Sequence, residues 1–207
     1  MNIEQSQKFF RICDNKFKEN MGLLSDLDAA LGDGDHGASM CRGFELIRQK
    51  TDQTSYADIG AMWMDAAKIL MKEIGGTCGP LFATILMKGA FLAKGAAEAD
   101  TALMARMIRA GSDGVQALGK AAPGEKTMVD ALVPAADAME KASAEGKDLK
   151  EALSLTACAA RRGAEGTKDM LASKGRGRYQ AENALGHIDA GAVSVALIFE
   201  ALYEAVT

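Results

Sequence analysis

Eight segments of this chain carry apolar residues at helical spacing, and short connections separate most of them. Aromatic residues make up only 5% of the sequence and prolines number three, a composition that favours helix over sheet. No repeat, linker or low-complexity tract divides the 207 residues. We therefore expect one all-α domain over residues 1–207. The predicted helices cover about residues 3–22, a segment that starts after residue 35, and residues 56–74, 80–94, 101–118, 127–144, 149–167 and 189–205.

The order of the connections predicts which of them meet in space. Helices that are joined by short loops run antiparallel to their neighbours in an up-and-down bundle. The connections after the first, third, fifth and seventh helices then share one end, and they hold the glycine-rich and unusual stretches: residues 28–35, 75–79, 119–126 and 168–188. The N-termini of the following helices lie at the same end and favour an anion. We therefore expect a functional site there.

Three aspartates lie close together in the first of these connections. Asp28, Asp33 and Asp35 are accompanied by Gly32 and Gly34, which permit the tight backbone that would bring the carboxylates together. Oxygen ligands alone suit a hard cation such as Mg2+ or Ca2+ rather than zinc. The register and the terminal glutamate of an EF-hand are missing. The alternative is a solvated acidic turn without an ion.

The last connection contains a basic cluster, Lys174, Arg176 and Arg178, with glycines between the cations. Acidic metal ligands, helix N-termini and these cations together suit a metal-bridged di- or triphosphate, although the sequence has no P-loop or Rossmann motif. The alternative is a solvated basic loop. The only two histidines, His36 and His187, also fall in these end connections, where helix capping or loop hydrogen bonding is the alternative to a role in the site.

Charge, hydropathy and cysteine spacing exclude several classes of protein. The net charge of −4 argues against nucleic acid as a partner. The most apolar run, residues 80–93, is interrupted by Lys88 and is too short to cross a membrane. The four cysteines form no CxxC pair, which is typical of reduced thiols, and no secretion signal opens the chain. We expect a cytoplasmic protein with no nucleic-acid or membrane partner.

Several separated motifs together resemble the nucleotide-binding subunits of dihydroxyacetone kinases, the DhaL family. They are LGDGDHG at 31–37, GGTCGP at 75–80, PGEKTM at 123–128, KGR at 174–176 and GHIDAGA at 186–192, and the resemblance covers nearly the whole chain. It implies an eight-helix antiparallel up-and-down barrel with the nucleotide site at one end. This agrees with the arrangement that the connections predict.

The resemblance also implies roles for individual residues. Asp28, Asp33 and Asp35 match the aspartates that hold two Mg2+ ions between the phosphates, so that they and Arg176 are the expected catalytic groups. The resemblance places His36, Ser39, Thr77, Cys78, Gly119, Met128, Arg176, Asp189 and Ala190 in the nucleotide pocket. Met40, which lies one turn from the predicted site loop, and Gly76, in the glycine-rich connection, complete the expected nucleotide-binding residues. Cys78, Ser39 and Ala190 stand where serine, asparagine and proline are common in the family, and Arg178 is an additional cation.

The activity that the resemblance implies is phosphoryl transfer from Mg-ATP, or through bound ADP, to dihydroxyacetone or a similar small ketose held by a DhaK-like partner subunit. A DhaM-like phosphotransferase-system protein would rephosphorylate the ADP in the second case, and homodimerisation stays open. The alternatives are a kinase subunit for another short-chain sugar such as a tetrulose, a nucleotide-sensing regulatory module, and a structural bundle with a cation-stabilised loop.

Overall fold

The computed structural model describes residues 1–175, 177–180 and 184–207, and in this part of the chain the only regular secondary structure is helical. Two short 3-10 helices, Thr167–Asp169 and Gly177–Gln180, lie in the long connection before the last helix. The predicted all-α fold is confirmed. The α-helices are α1 (Ile3–Glu19), α2 (Met21–Ala29), α3 (His36–Asp52), α4 (Ile59–Glu73), α5 (Cys78–Leu92), α6 (Thr101–Gly119), α7 (Val129–Ala144), α8 (Leu149–Gly166) and α9 (Ala190–Ala205).

Eight of these helices form a closed ring. From α3 to α9 each helix packs on the next one in the chain, α1 packs on α3, and α9 packs on α1, which closes the barrel. Helix α2 lies outside this order, against α3 and α9. Aromatic side chains from α1, α3 and α4 fill one part of the core, where Phe17 stacks on Phe44 and Phe9 stacks on Trp63. Because neighbouring helices pack along the sides of the barrel, we expect a binding site at one of its ends.

Among the described α-helices, α2 is the one that the sequence analysis did not distinguish from its neighbour. The expected first helix, residues 3–22, ends at Glu19 because Asn20 leaves the helical conformation, with φ −104° and ψ 9°. Its side-chain amide donates to the carbonyl of Lys16 at 2.8 Å and so occupies an acceptor at the helix end. The chain then restarts as α2, which carries Asp28 in its last turn. The first of the three aspartates is therefore placed by a helix and not by a loop.

Helix starts differ between the two ends of the barrel. At one end α4, α6 and α8 begin with Asp58, Asp100 and Asp148, whose carboxylates each accept a hydrogen bond from a backbone N–H in the first turn. At the other end the residues that precede α3, α5 and α7 make no such side-chain cap. Only α9 has a side-chain cap at this second end, from Asp189. The N-cap residues of α3, α5 and α7 thus leave first-turn N–H groups without the cap that α4, α6 and α8 have, although the N–H of His36 reaches Asp28 and that of Val129 reaches Thr127.

No helix in the described residues is both long enough and apolar enough to span a bilayer.

Candidate functional site

A cavity of about 340 Å3 lies at the end of the barrel where these helices start. His36, Cys78, Val129 and Ala190, which are the first residues of α3, α5, α7 and α9, all line it. The ends of α2 and α6 and the residues that follow α4 and α8 complete the wall. Starts and ends therefore alternate around the cavity, which confirms the predicted up-and-down order and brings the four glycine-rich or unusual connections together.

The three aspartates of the first connection lie together at this cavity. One carboxylate oxygen from each of Asp28, Asp33 and Asp35 lies within 4.8 Å of the others. Asp28 is half-buried, while the other two are exposed. Gly34, with φ +75°, supplies the left-handed turn between Asp33 and Asp35. Three like charges with only oxygen donors fit a hard divalent cation, and the described residues contain no other group of this kind.

Asp28 and His36 tie the end of α2 to the start of α3. The backbone N–H of His36 lies 3.3 Å from Oδ2 of Asp28, and the His36 side chain is only 4% exposed. Its Nε2 lies 2.8 Å from Oγ of Ser194, and the ring also hydrogen-bonds to the backbone of Ala190. Burial lowers the pKa of His36 despite the opposing charges of Asp28 and Asp35. The neutral imidazole thus links α3 to α9 beneath the acidic cluster.

The starts of α3 and α5 approach a preceding helix so closely that only glycine fits. A Cβ on Gly37 would lie 2.1 Å from the carbonyl oxygen of Met21, and one on Gly79 would lie 2.1 Å from that of Ile74. Both neighbours are backbone atoms, which do not move as readily as the end of a side chain. These two glycines fix where the first turns of α3 and α5 stand at the cavity.

The connection between α6 and α7 is organised by Asp130. Its carboxylate, on a side chain that is only 4% exposed, accepts hydrogen bonds from the backbone N–H groups of Gly124 and Thr127. Lys126, Thr127 and Met128 line the cavity from this connection. Sequence reasoning did not single out Asp130, because an aspartate one residue inside a helix is usually a solvated first-turn acid.

Asp189 caps α9 at the cavity wall. Its carboxylate accepts from the backbone N–H of Ala192 at 2.8 Å, and its own N–H donates to Oγ1 of Thr167 at 2.9 Å. Burial raises the pKa of Asp189 to about 6; Asp130 and Asp28 add to the rise, whereas Lys126 and the hydrogen bond from Ala192 oppose it.

Two of the three cations in the basic cluster lie within the described residues. Lys174 and Arg178 line the cavity. Lys174 also lies 3.7 Å from a carboxylate oxygen of Glu125, and the Arg178 guanidinium donates to the hydroxyl of Tyr179 and lies 4.7 Å from its ring centre. Arg176, which the sequence predicts as a catalytic and nucleotide-binding residue, lies outside the described residues.

Most of the predicted site residues that the structure describes line the cavity. Asp28 and Asp35 line the cavity, and Asp33 belongs to the acidic cluster but not to the cavity wall. Met40 is fully buried in the core and does not reach the cavity, since it lies one turn further into α3. The predicted nucleotide-binding residues in the cavity wall are His36, Ser39, Gly76, Thr77, Cys78, Gly119, Met128, Asp189 and Ala190.

The chain matches a known domain and known proteins. A DAK2 domain covers residues 30–204. The ADP-binding subunit DhaL of the PEP-dependent dihydroxyacetone kinase of Escherichia coli K12 is 34% identical over 190 residues, which are 92% of this chain and 90% of that subunit. The L-erythrulose kinase of Pectobacterium atrosepticum is 35% identical over 185 residues, which are 88% of this chain but only 31% of that enzyme.

A solved structure shares the fold. The dihydroxyacetone kinase of C. freundii, in complex with AMP-PNP and Mg2+, superposes with a TM-score of 0.72 and 26% identity, over 96% of this chain and 33% of that chain. This chain therefore spans about a third of that kinase. The motifs, the helical ring and the extent of the match agree: this chain belongs to the DAK2 domain family, together with the DhaL subunits of dihydroxyacetone kinases.

Proposed function

We propose that this chain is the nucleotide-binding subunit of a dihydroxyacetone-kinase-type enzyme. It would pass a phosphoryl group to dihydroxyacetone, or a similar small ketose, held by a partner subunit. One observation carries this proposal: the cluster of Asp28, Asp33 and Asp35 lies at the same cavity as the uncapped starts of α3, α5 and α7. Kinship with the ADP-binding subunit of E. coli supports it.

We assign Mg2+, as two ions, to Asp28, Asp33 and Asp35, and ADP or ATP to the cavity. When bound, Mg2+ would neutralise phosphate charge that develops during transfer. The protein's own contribution is positioning, because phosphoryl transfer needs aligned oxygens and preorganised positive groups more than it needs covalent chemistry. The first turns of α3, α5 and α7 supply N–H groups for the phosphates. Lys174 and Arg178, which line the cavity, would supply cations for the phosphates, and the family resemblance assigns the same role to Arg176, which lies outside the described residues.

The remaining lining residues would hold the nucleoside and fix its orientation. We assign this role to Ser39, Gly76, Thr77, Cys78, Gly119, Met128 and Ala190, all of which lie in the cavity wall. His36 and Asp189 would act indirectly, by holding the floor of the site in place, since each forms a hydrogen bond with a residue of α9. Met40, which is buried in the core, would support this floor from behind.

The acceptor would arrive on a second protein, a DhaK-like sugar-binding subunit. Two exposed leucines, Leu118 and Leu171, are next in sequence to Gly119 and Ala172 of the cavity wall, and we assign the docking surface to this rim. A DhaM-like phosphotransferase protein would use the same face if the donor is a phosphoprotein. We further propose one domain over residues 1–207 and a cytoplasmic location, in keeping with four cysteines that form no disulfide. If the chain forms a homodimer, its interface would lie outside this rim.

A second acceptor has a specific observation in its favour. The identity with L-erythrulose kinase, 35%, is similar to the 34% identity with the E. coli dihydroxyacetone kinase subunit, so that a tetrulose is the alternative substrate. In both cases the sugar would lie on the partner, and the chemistry in this chain would be the same.

The nucleotide content of the purified protein tests the proposal first. The protein is isolated without added nucleotide and denatured, and the released nucleotide is measured by chromatography. ADP near one equivalent supports a bound coenzyme that a phosphoprotein recharges. Empty protein that ATP stabilises only with Mg2+ supports direct use of ATP. Absence of both would contradict the proposal.

Turnover then separates the enzyme from a sensing module. The chain is mixed with a DhaK-like subunit, a phosphate donor, and either dihydroxyacetone or erythrulose, and the sugar phosphate is quantified. The Asp33→Asn variant is the inactive control. Tight nucleotide binding without sugar phosphate from any of these mixtures would favour a regulatory module instead.

A further inference from the structure

Lys126 is buried to an unusual degree for a lysine. It lies in the connection before α7, it is 3% exposed, and its backbone adopts the left-handed conformation with φ 58°. A lysine is rarely buried unless its ammonium is paired, because the lost hydration must be replaced. A left-handed backbone is also unfavourable for a residue with a long side chain. Both features point to a specific requirement for this side chain.

The ammonium of Lys126 joins two points that are far apart in sequence. Nζ donates to the carbonyl oxygens of Thr167 and His187, each at 2.6 Å. These two residues stand at the beginning and the end of the connection between α8 and α9, which carries the basic cluster. The negative charges of Asp189, Asp169 and Asp130 also favour the charged form of Lys126, although burial lowers its pKa. One side chain therefore holds together the two ends of the connection between α8 and α9.

The residue before Lys126 makes a second attachment to the same connection. The carbonyl of Glu125 accepts from the backbone N–H of Ser173 at 3.3 Å, and its carboxylate lies 3.7 Å from Nζ of Lys174. Within the connection, Gly186 donates to the carbonyl of Lys168 at 2.9 Å. The contacts of Glu125 are longer and more exposed than those of Lys126, so that the buried ammonium is the main anchor.

We propose that Lys126 is a positioning residue that holds the connection between α8 and α9 closed at its base, and thereby sets Lys174, Arg178 and Asp189 at the cavity. This inference rests on the proposed function for its effect on nucleotide, but the anchoring itself does not depend on any ligand. Because both hydrogen bonds of its ammonium go to backbone carbonyls, Lys126 would act on the nucleotide through the residues that it positions. Its loss should therefore loosen the connection and weaken binding while the helical ring persists.

The test compares Lys126→Met with Ile59→Ala. Met keeps the Cβ and most of the side-chain volume but removes the ammonium. Ile59 is fully buried at the start of α4, at the opposite end of the barrel, so its truncation lowers stability without touching the connection. Both variants are studied at a temperature at which circular dichroism shows them fully folded. If Lys126→Met does not fold, Lys126→Gln, whose shorter amide reaches one carbonyl at most, takes its place.

The first measurement is hydrogen exchange by mass spectrometry, without nucleotide. We expect exchange in peptides over residues 168–188 to rise by about tenfold or more in Lys126→Met, which corresponds to a lost anchoring energy of about 1.4 kcal/mol. The same peptides should exchange as in the parent protein in Ile59→Ala. Unchanged exchange in Lys126→Met, or an equal rise in both variants, would overturn the proposal.

The second measurement is the dissociation constant for Mg-ADP by calorimetry. We expect it to increase by about tenfold or more in Lys126→Met and to be unchanged in Ile59→Ala. Faster exchange with an unaltered dissociation constant would mean that Lys126 anchors the connection but positions nothing for the nucleotide, which would overturn the positioning role. A parent protein that binds no Mg-ADP would contradict the proposed function, and the exchange result would still decide the anchoring.

Discussion

Nε2 of His36 lies 2.8 Å from Oγ of Ser194, and this contact joins the first residue of α3 to the interior of α9. Both side chains are buried, so neither has water as an alternative partner. The link holds the two helices in register directly beneath Asp28 and Asp35. Ser194 has no counterpart among the predicted site residues, because a serine in an apolar helix is ordinarily a neutral core position.

Ser194→Ala should destabilise the protein by about 1–2 kcal/mol, since it leaves a buried imidazole nitrogen without its partner. Urea unfolding followed by circular dichroism measures the change. Ser112→Ala is the matched control, because the Ser112 hydroxyl is equally buried and has no hydrogen-bond partner in the described structure. The control should be neutral or stabilising, and equal losses in the two variants would contradict this interpretation.

Gly79→Ala should cost about 1–3 kcal/mol or more, because the new Cβ would collide with the backbone carbonyl of Ile74. The start of α5 would have to shift, so nucleotide affinity should fall as well. Gly75→Ala, in the same connection, meets no atom within 4 Å and requires no left-handed backbone. Its melting temperature should stay within a few degrees of that of the parent, whereas a stable Gly79→Ala variant would show that the close approach of α5 is not required.

The stability of the ligand-free protein should depend on pH through Asp189. The pKa of Asp189 is about 6 in the folded protein, whereas the ordinary value for an aspartate is 3.8. The folded state therefore binds a proton at this carboxylate more tightly than the unfolded chain does. The stabilising contribution is therefore complete below about pH 4 and is lost as the pH rises to about 6 and beyond. The shift corresponds to about 3 kcal/mol at most.

Asp189→Asn isolates this contribution, because the amide keeps an oxygen for the N–H of Ala192 but does not ionise. The free energy of unfolding of both proteins is measured with urea at pH 4 and pH 7. Relative to the parent, the variant should be more stable at pH 7 than at pH 4. A difference between the two proteins that is the same at both pH values would refute the raised pKa.

Asp33→Asn should remove stabilisation by Mg2+, because the cluster loses one of its three carboxylate ligands, and it should relieve part of the repulsion among the three carboxylates in the metal-free protein. For the parent, Mg2+ at 100 times its dissociation constant should add about 2.7 kcal/mol. Thermal melting with EDTA and with Mg2+ measures both effects. Asp26→Asn changes an exposed acid on α2 outside the cluster and should respond to Mg2+ like the parent. Full Mg2+ stabilisation of Asp33→Asn would rule out the assigned metal site.

The closed ring was implied by the family resemblance, whereas helical periodicity and the order of the connections predicted the up-and-down order of the helices and the end at which the cavity lies. Both follow from local features: apolar residues at a spacing of three or four, and glycines at the breaks. The division between α1 and α2 escaped this approach, because Met21 continues the apolar stripe of α1 while Asn20 alone ends the helix.

The residues that the sequence did not reveal act through tertiary contacts. Lys126 stands in a glycine- and proline-containing connection, where a lysine is normally solvated, and only the carbonyls of Thr167 and His187 explain its burial. Met40 shows the opposite case, since its place in the sequence beside the site suggested contact with nucleotide, while the helix turns it into the core. The two partners of Lys126 lie 41 and 61 positions further along the chain, so no local sequence pattern indicates these contacts.

Calorimetric titration of Mg-ADP into protein stripped of metal and nucleotide tests the central claim most directly. We predict binding of one nucleotide per chain in the presence of Mg2+, and a loss of this binding in EDTA or in the Asp33→Asn variant. Binding that is indifferent to Mg2+ and to Asp33, or no binding of ADP and ATP at all, would contradict a metal-bridged nucleotide at this end of the barrel.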